Sequence, residues 1–317
     1  MQQEDGTWKK EEVTSFEVIR PGKKRDGNWT NEKQAQQLER CIPLFKKVHP
    51  DCDLLFAFDN SQNHHARAPD ALVASRVNLN DGGKNAPIMR DTRFKSVKED
   101  GSIEDIEQKM YIEKDGTKIP KGARTILQER GLWSSIAGRK VLRCHDCAEG
   151  KSPEGAIYCC AIRCLSHQED FKNSKEWLQE IAEKHGCSLI FFPKFHCELN
   201  FIEMIWAYLK NRLRRQCTYT FKELFDNVGQ ELLNIPLDFI RKVERRCFRY
   251  MDGYRLDLQG PLLDFAVRKY KSHRRIPTKE IDSIRKAFEV FREKKLKTDG
   301  RFSSPISVNV IDAIMVE

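Results

Sequence analysis

The order of apolar and polar positions predicts alternating strands and helices in the first part of the chain. Residues 13–19, VTSFEVI, are predicted to form a strand, which Pro21-Gly22 ends. An amphipathic helix with Thr30 as its cap is predicted over about 31–48, and the apolar run CDLLFAF at 52–58 is typical of a buried strand. This order of strand, helix and strand predicts an α/β fold.

A second set of elements is predicted further along the chain. It begins with a helix over 173–185, a short buried strand over 189–192 and an amphipathic helix over 201–215. Four more helices are predicted at about 221–234, 237–251, 261–271 and 278–297. Between the two sets, residues 80–153 are polar and rich in turn signals, which predicts either a large insertion built of hairpins and short helices or a partly disordered segment.

A run of seven polar residues, Asp59 to His65, directly follows the strand predicted at 52–58. Ligands and catalytic groups of α/β sheets gather at the carboxyl ends of strands, which makes Asp59, Asn60 and His64 candidate site residues. The alternative is an ordinary turn in which Asp59 and Asn60 bond to their own backbone.

The helix predicted over 201–215 carries an acid in its first turn and cations further along. Glu203, Lys210 and Arg214 recur at helical spacing on a face separate from the apolar stripe, and Arg215 follows them. Such a face could hold a metal ion and contact phosphate. The alternative is a capping box, in which Asn200 caps the helix and Glu203 bonds back to a free backbone N–H.

Cysteines are concentrated at the end of the predicted insertion. The chain has 11 cysteines, and because its first residues lack the apolar segment of a secretory signal, we expect thiols or metal ligands rather than disulfides. The candidate ligands are Cys144, Cys147, Cys159, Cys160, Cys164 and His167. Thiolates and imidazole from two short turns suit a structural Zn²⁺, whereas cysteines that fill small gaps in a core are the alternative.

Composition and charge indicate a polar globular chain with a polyanionic partner. Of the 317 residues, 39% are hydrophobic and 32% are charged, and no apolar run approaches the roughly 20 residues of a membrane span. The formal net charge is +9, and residues 206–275 hold 16 Lys or Arg against 8 Asp or Glu. Cations alternate with aromatic residues there, which suits contact with DNA and suggests a nuclear location. A solvated helix face would look similar. The candidate DNA contacts in these helices are Arg245, Arg246, Arg274 and Arg275.

Two segments resemble the acid motifs of mariner-type DDE transposases. LLFAFDNSQNHH at 54–65 is similar to the motif of the second carboxylate, and FPKFHCELNFIEMIWAYLKNRLR at 192–214 to that of the third. Residues 78–94 and 248–277 resemble transposon-encoded proteins with a long insertion between these two acids. The resemblance covers most of residues 13–277.

The resemblance implies an RNase H-like fold, a mixed sheet flanked by helices, that performs phosphoryl transfer with two Mg²⁺ or Mn²⁺ ions. Asp59 and Glu203 would then be catalytic metal ligands, and Lys210 and Arg214 would contact DNA of the transposon ends and target. Asn60 and His64 would support the metal or contact phosphate, although a structural role for His64 is equally open.

The chain departs from the family pattern at its beginning. The family fold has three strands before its first helix, with the first catalytic Asp on the first strand, and only the segment 13–19 precedes the helix here. Asp5 lies in a polar tail, Asp26 in a loop, and nothing physical places Glu17 in the site. We therefore expect an incomplete site, because two carboxylates leave more of the coordination of the metal to water.

Three hypotheses follow, on a predicted division of the chain into four parts. The parts are a first core segment at 13–79, the Cys-rich insertion at 80–172, a second core segment at 173–216 and a basic helical extension at 217–317. The first hypothesis is a DNA transposase or endonuclease that receives its first carboxylate from elsewhere, such as from the second copy in a homodimer. The second is a non-catalytic DNA-binding remnant, and the third is a zinc-stabilised interaction protein. We expect no membrane partner.

Overall fold

The computed structural model describes residues 15–97, 100–137, 140–151, 153–216, 220–273 and 275–299. The chain forms two compact units, which we treat separately. The split unit contains the described residues within Met1–His64 and His185–Glu317, and the inserted unit those within His65–Lys184. The fold is mixed α/β, as predicted. The finer predictions, an RNase H-like fold and its four-part division, stay predictions.

Helices and short strands make up both units. The strands are β1 (Leu55–Phe58), β2 (Thr92–Val97), β3 (Ile103–Gln108), β4 (Tyr111–Lys114), β5 (Thr117–Pro120) and β6 (Ser188–Phe191). The helices are α1 (Asn31–Val48), α2 (Ala123–Glu129), α3 (His145–Ala148), α4 (Ala161–Ser166), α5 (Glu169–Lys172), α6 (Trp177–Lys184), α7 (Phe201–Gln216), α8 (Phe221–Leu233), α9 (Leu237–Arg255), α10 (Gly260–Lys269) and α11 (Ile281–Asp299). Within the described ranges, no helix is long and apolar enough to span a bilayer.

Helix α1 begins and packs as its sequence predicts. Thr30 caps it, because the threonine Oγ1 accepts a hydrogen bond from the backbone N–H of Lys33 at 3.3 Å. Ala35, Leu38 and Ile42 recur on one face and are buried. The apolar stripe of α1 therefore supplies part of the core of the split unit.

Strands β1 and β6 pair in parallel and form a sheet of two strands. Leu55 lies opposite Ser188, and Phe58 lies opposite Phe191. The face with the phenylalanine side chains is half-buried, whereas Leu55 and Ile190 on the other face are 55% and 46% exposed. The sequence predicted buried strands, and this is wrong for the second face, whose side chains are exposed.

The strand predicted over 13–19 is not formed by the described residues 15–19. Residues 13 and 14 lie outside the described ranges. The backbone carbonyl of Ser15 accepts from Gln37 Nε2 at 2.9 Å and from Cys41 Sγ at 3.3 Å. Glu17 forms an ion pair with Arg40 at 3.1 Å. Because its polar groups bond to side chains of α1, this segment runs beside a helix rather than joining a sheet.

The C-terminal helices of the split unit share one apolar core. Leu258, Leu263 and Ile284 are among its fully buried members, and Tyr250 and Tyr270 pack with them. Arg249 of α9 is also buried and donates from Nη1 to the carbonyl oxygens of Lys271 at 2.8 Å and His273 at 3.2 Å. One of the cations of this basic region therefore has a structural role rather than facing solvent.

The inserted unit contains the hairpins and short helices that the sequence predicted. Strands β2 and β3 pair antiparallel, as do β4 and β5. Asp115 and Gly116 join β4 to β5 with φ of 51° and 72°, which is the left-handed backbone that a two-residue hairpin turn requires. The predicted helix over 173–185 begins only at Trp177, and the shorter α5 precedes it.

A buried ion pair stands at the edge of the apolar core of the inserted unit. That core includes Met110, Ile126 and Leu165, all fully buried. The guanidinium of Arg130 donates to both oxygens of Asp170 at 2.9 and 2.7 Å, and its Nε donates to Gln108 at 2.9 Å. Because both charges are nearly buried and their hydrogen bonds are satisfied, removal of one partner would leave an uncompensated buried charge.

Candidate functional site

The polar segment after β1 lies beside the segment that leads into α7. The parallel ladder continues past the strands, since the N–H of Phe192 donates to the carbonyl of Phe58 at 2.8 Å. One residue further along, Asn60 Nδ2 donates to the carbonyl of Phe192 at 3.3 Å. The carboxyl ends of β1 and β6 thus form one edge, which we call the sheet edge (residues 59–64 and 192–200).

Asp59 and His64 contact each other at the sheet edge. His64 Nδ1 lies against Asp59 Oδ1 and is 3.1 Å from the backbone carbonyl oxygen of Asp59. The imidazole also packs on the ring of Phe58, with centroids 4.9 Å apart. His64 is mostly buried, and Asp59 is 46% exposed. The imidazole of His64 therefore lies against the Asp59 carboxylate at this end of the strand.

Glu203 lies in the first turn of α7 and is exposed. Asn200 caps this helix as predicted, because its Oδ1 accepts from the N–H of Ile202 at 3.4 Å. The second half of the predicted capping box is not formed, since no hydrogen bond among the described residues involves the Glu203 carboxylate. The carboxylate is free to contact a ligand.

The two acids do not belong to a complete metal site in the described part of the chain. There, one group of three or more His, Cys, Asp or Glu side chains brings its ligand atoms together, and it consists of cysteines. Asp59 and Glu203 thus lack a third such ligand among the described residues.

A cluster that the sequence did not predict, made of His196, Glu198 and Tyr254, fixes the segment before α7. The Tyr254 hydroxyl donates to Glu198 Oε1, and His196 Nδ1 lies 2.8 Å from the same oxygen and 3.0 Å from the hydroxyl. Burial alone would raise the pKa of Glu198, but the hydrogen bonds from Tyr254 and His196 outweigh it and lower this pKa. Burial and the Glu198 carboxylate raise the pKa of Tyr254. The sequence signal was the His-Cys-Glu run before the helix, although its partner lies in α9.

The predicted DNA contacts differ in their surroundings. The exposed ones are Lys210, Arg214 and Arg215 on α7, Arg245 on α9, and Arg275 after α10. Arg246 is half-buried, with its guanidinium 5.8 Å from the centre of the Tyr250 ring, so it is partly committed to packing. Arg274 lies outside the described residues.

Four cysteines of the inserted unit form a group that could hold a metal ion such as Zn²⁺. The Sγ atoms of Cys144, Cys147, Cys159 and Cys160 all lie within 4.8 Å of one another. Cys147 Sγ is 3.5 Å from Cys159 Sγ and 3.7 Å from Cys160 Sγ. Tetrahedral Zn–S bonds of about 2.3 Å require sulfur atoms about 3.8 Å apart, close to these distances.

Backbone hydrogen bonds bring the two cysteine pairs together. The N–H of Ala161 donates to the carbonyl of Val141 at 3.1 Å, and the N–H of Ile162 donates to the carbonyl of Leu142 at 3.0 Å. Gly150 ends the first turn with φ of 72°. Burial and the neighbouring thiols raise the pKa of Cys159 to about 12, so a metal ion that binds must displace its proton.

Two of the six predicted metal ligands lie outside the four-cysteine group. Cys164 is on the core-facing side of α4, where it is fully buried among apolar side chains and burial raises its pKa. His167 Nδ1 lies 2.8 Å from the carbonyl oxygen of Arg163 at the end of α4. Neither residue belongs to the group whose sulfur atoms lie within 4.8 Å of one another, which the linear order of the sequence does not reveal.

Comparison of the chain with protein-family models, with curated proteins and with solved structures found no match. The geometry of the two units is thus what bears on function. In the split unit it is the sheet edge with α7, and in the inserted unit it is the four-cysteine group.

The low pKa of Glu198 predicts a stability contribution that depends on pH. Its ionised form is favoured in the folded protein, so the contribution is present above the unfolded pKa of about 4.3 and is lost as pH falls through the lower folded pKa. We expect Tyr254→Phe to lower the free energy of unfolding by about 1 kcal/mol at pH 7, and by less near pH 3.5. Urea unfolding at both pH values measures this.

The exposed Tyr158 provides the control, since Tyr158→Phe removes a hydroxyl without affecting Glu198. An equal loss for Tyr254→Phe at both pH values would show that the hydroxyl does not stabilise the ionised carboxylate.

Proposed function

We propose that the split unit binds DNA and descends from a mariner-type DDE transposase catalytic domain. The observation that carries the proposal is the bond from Asn60 to the carbonyl of Phe192, which joins the two acid-bearing segments at one sheet edge. Asp59 follows β1 directly, and Glu203 lies in the first turn of the helix after β6. This is the order and proximity of segments that the resemblance to the family implies.

The exposed faces of α7 and α9 supply the proposed contacts to DNA. Lys210, Arg214 and Arg215 extend along α7, and Arg245 lies on α9. Phe248 of α9 is 46% exposed, and its ring meets that of Phe201 at 5.9 Å, which ties the two helices together. Cations near exposed aromatic rings suit phosphate contact with stacking on bases or sugars.

The proposed activity is binding without cleavage by this chain alone. Asp59 and Glu203 are the acids that the resemblance assigns to Mg²⁺ or Mn²⁺, and the described residues offer them no third ligand. Two carboxylates bind such ions weakly, because water then fills most of the coordination sphere. A transposase or endonuclease activity with these two acids would require a further carboxylate from another segment or another chain.

Binding through phosphate contacts predicts a strong dependence on salt. We expect the affinity for a labelled 20-bp duplex, measured by fluorescence anisotropy, to fall steeply as salt rises. The double variant Lys210→Gln/Arg214→Gln should weaken binding and reduce the slope of log affinity against log salt by about 2, because each phosphate contact contributes about 1.

Lys23→Gln/Lys24→Gln is the matched control, with the same change of charge at exposed positions remote from α7 in sequence. An equal loss of affinity in both double variants would mean that DNA binding depends on the net charge of the chain alone. An affinity that does not change with salt would contradict the proposal.

A second function rests on the four-cysteine group. We propose that Cys144, Cys147, Cys159 and Cys160 bind one structural Zn²⁺ that stabilises the inserted unit. The sulfur separations fit a tetrahedral thiolate site, and all four positions carry a ligand, so no position is open for chemistry. A metal ion bound in this way contributes its binding free energy to folding.

The zinc content of protein purified without chelator tests this site. We expect about one zinc per chain in the wild type and in His167→Ala, and loss of zinc in Cys159→Ser. The exposed Cys52 gives the control variant Cys52→Ser, which should keep its zinc. Zinc retained in Cys159→Ser, or lost in His167→Ala, would assign the ligands differently.

A further inference from the structure

A cavity adjoins the four-cysteine group in the inserted unit. Its volume is about 200 Å³, and Arg143, Cys147, Gly150, Ile162, Arg163 and Ser166 line it. Liquid water occupies about 30 Å³ per molecule, so the cavity has room for a small polyatomic ion and some of its hydration. Two of the six lining residues are arginines, and none is an acid.

The two arginines of the cavity lack anionic partners. Among the described residues neither Arg143 nor Arg163 forms an ion pair, whereas Arg90 and Arg130 of the same unit each bind carboxylates. Arg143 Nη2 donates to the carbonyl of Cys147 at 3.0 Å. The Nε of Arg163 is buried and has no hydrogen-bond partner. Because this Nε is out of reach of the cavity, the other guanidinium N–H groups of Arg163 are the donors that an anion in the cavity would meet.

The four-cysteine group brings the two arginines to the same cavity. Arg143 directly precedes Cys144, and Arg163 follows Cys160 by one turn at the start of α4. A metal ion that joins the two cysteine pairs would therefore also fix the distance between the two guanidinium groups. Guanidinium groups bind oxyanions with paired, charge-assisted hydrogen bonds.

We propose that this cavity is a phosphate-binding site that the four-cysteine group organises. The ligand class is a phosphate group, either free or carried by a nucleic acid. The site lies in the inserted unit and does not require the proposed DNA contacts of the split unit. It uses the proposed zinc centre as a scaffold only.

The two arginines could instead balance the negative charge of the thiolates. Four thiolates around a divalent ion carry a net negative charge, which nearby cations would stabilise. In the part of the chain described here, however, no hydrogen bond joins the guanidinium of Arg143 or Arg163 to a thiol of the group. Both side chains instead line the open space of the cavity.

Calorimetric titration of the zinc-loaded full chain with inorganic phosphate tests the proposal. We expect saturable binding in the wild type, weakened at least about tenfold in Arg163→Met, with zinc content unchanged. Arg143→Met, at an exposed side chain, is a second variant that keeps the test decisive if Arg163→Met fails to fold. Arg124→Met, outside the cavity and equal in charge change, should bind phosphate as the wild type does.

Zinc is measured on every sample, and the titration is repeated on metal-free protein, so that failure of the zinc centre is distinguished from failure of the cavity. A single-stranded oligonucleotide in place of phosphate separates the two sources of the ligand, and it is titrated into chains that also carry Lys210→Gln/Arg214→Gln, so that the proposed DNA contacts of the split unit are weakened. Loss of both ligands in Arg163→Met supports a nucleic-acid phosphate, and loss of inorganic phosphate alone supports a free one.

Three results would overturn the proposal. They are no saturable phosphate binding in the wild type, an equal loss in Arg124→Met, and arginine variants that lose zinc affinity while phosphate binding is unchanged. The last result would assign both arginines to compensation of the thiolate charge.

Discussion

The parallel pairing of β1 with β6 is the constraint on which the split unit depends. Parallel strands cannot be joined by a tight turn, so the chain must cross over between them. Here the crossover runs from residue 59 to residue 187 and contains the whole inserted unit. Because the strands run in the same direction, both of their carboxyl ends lie at one edge. Asp59 and the segment that leads to Glu203 meet there for that reason alone.

The inserted unit is stabilised by contacts within itself. Its hairpins and short helices enclose one apolar core, at whose edge Arg130 and Asp170 form a nearly buried ion pair. The four cysteines lie on two short segments that backbone hydrogen bonds from Ala161 and Ile162 bring together. Short helices of four to six residues, such as α3 and α4, are too short to be stable alone, so packing and a metal ion would supply the missing stability.

Periodicity predicted the long helices of the split unit well, because apolar spacing and caps are local properties. Thr30 and Asn200 both cap the helices that the sequence assigned to them. What the sequence could not supply was the partner of each segment. The residues of segment 13–19 are typical of a strand, yet the backbone carbonyl of Ser15 accepts hydrogen bonds from side chains of α1. Likewise, spacing alone could not separate Cys164, which faces a core, from the thiols of the group. The bond between Glu198 and Tyr254 was also beyond prediction, since 56 residues separate them.

We propose that Asp59 at the sheet edge and Glu203 in the first turn of α7 belong to a surface that binds DNA without completing a metal site. Incubation of supercoiled plasmid with the full chain in Mg²⁺ or Mn²⁺, beside Asp59→Asn and Glu203→Gln, tests this most directly. We expect that the wild type and both variants bind the plasmid in a salt-sensitive complex and leave it uncut. Nicking by the wild type that disappears in both variants would contradict it, and would mean that a further ligand completes a catalytic site.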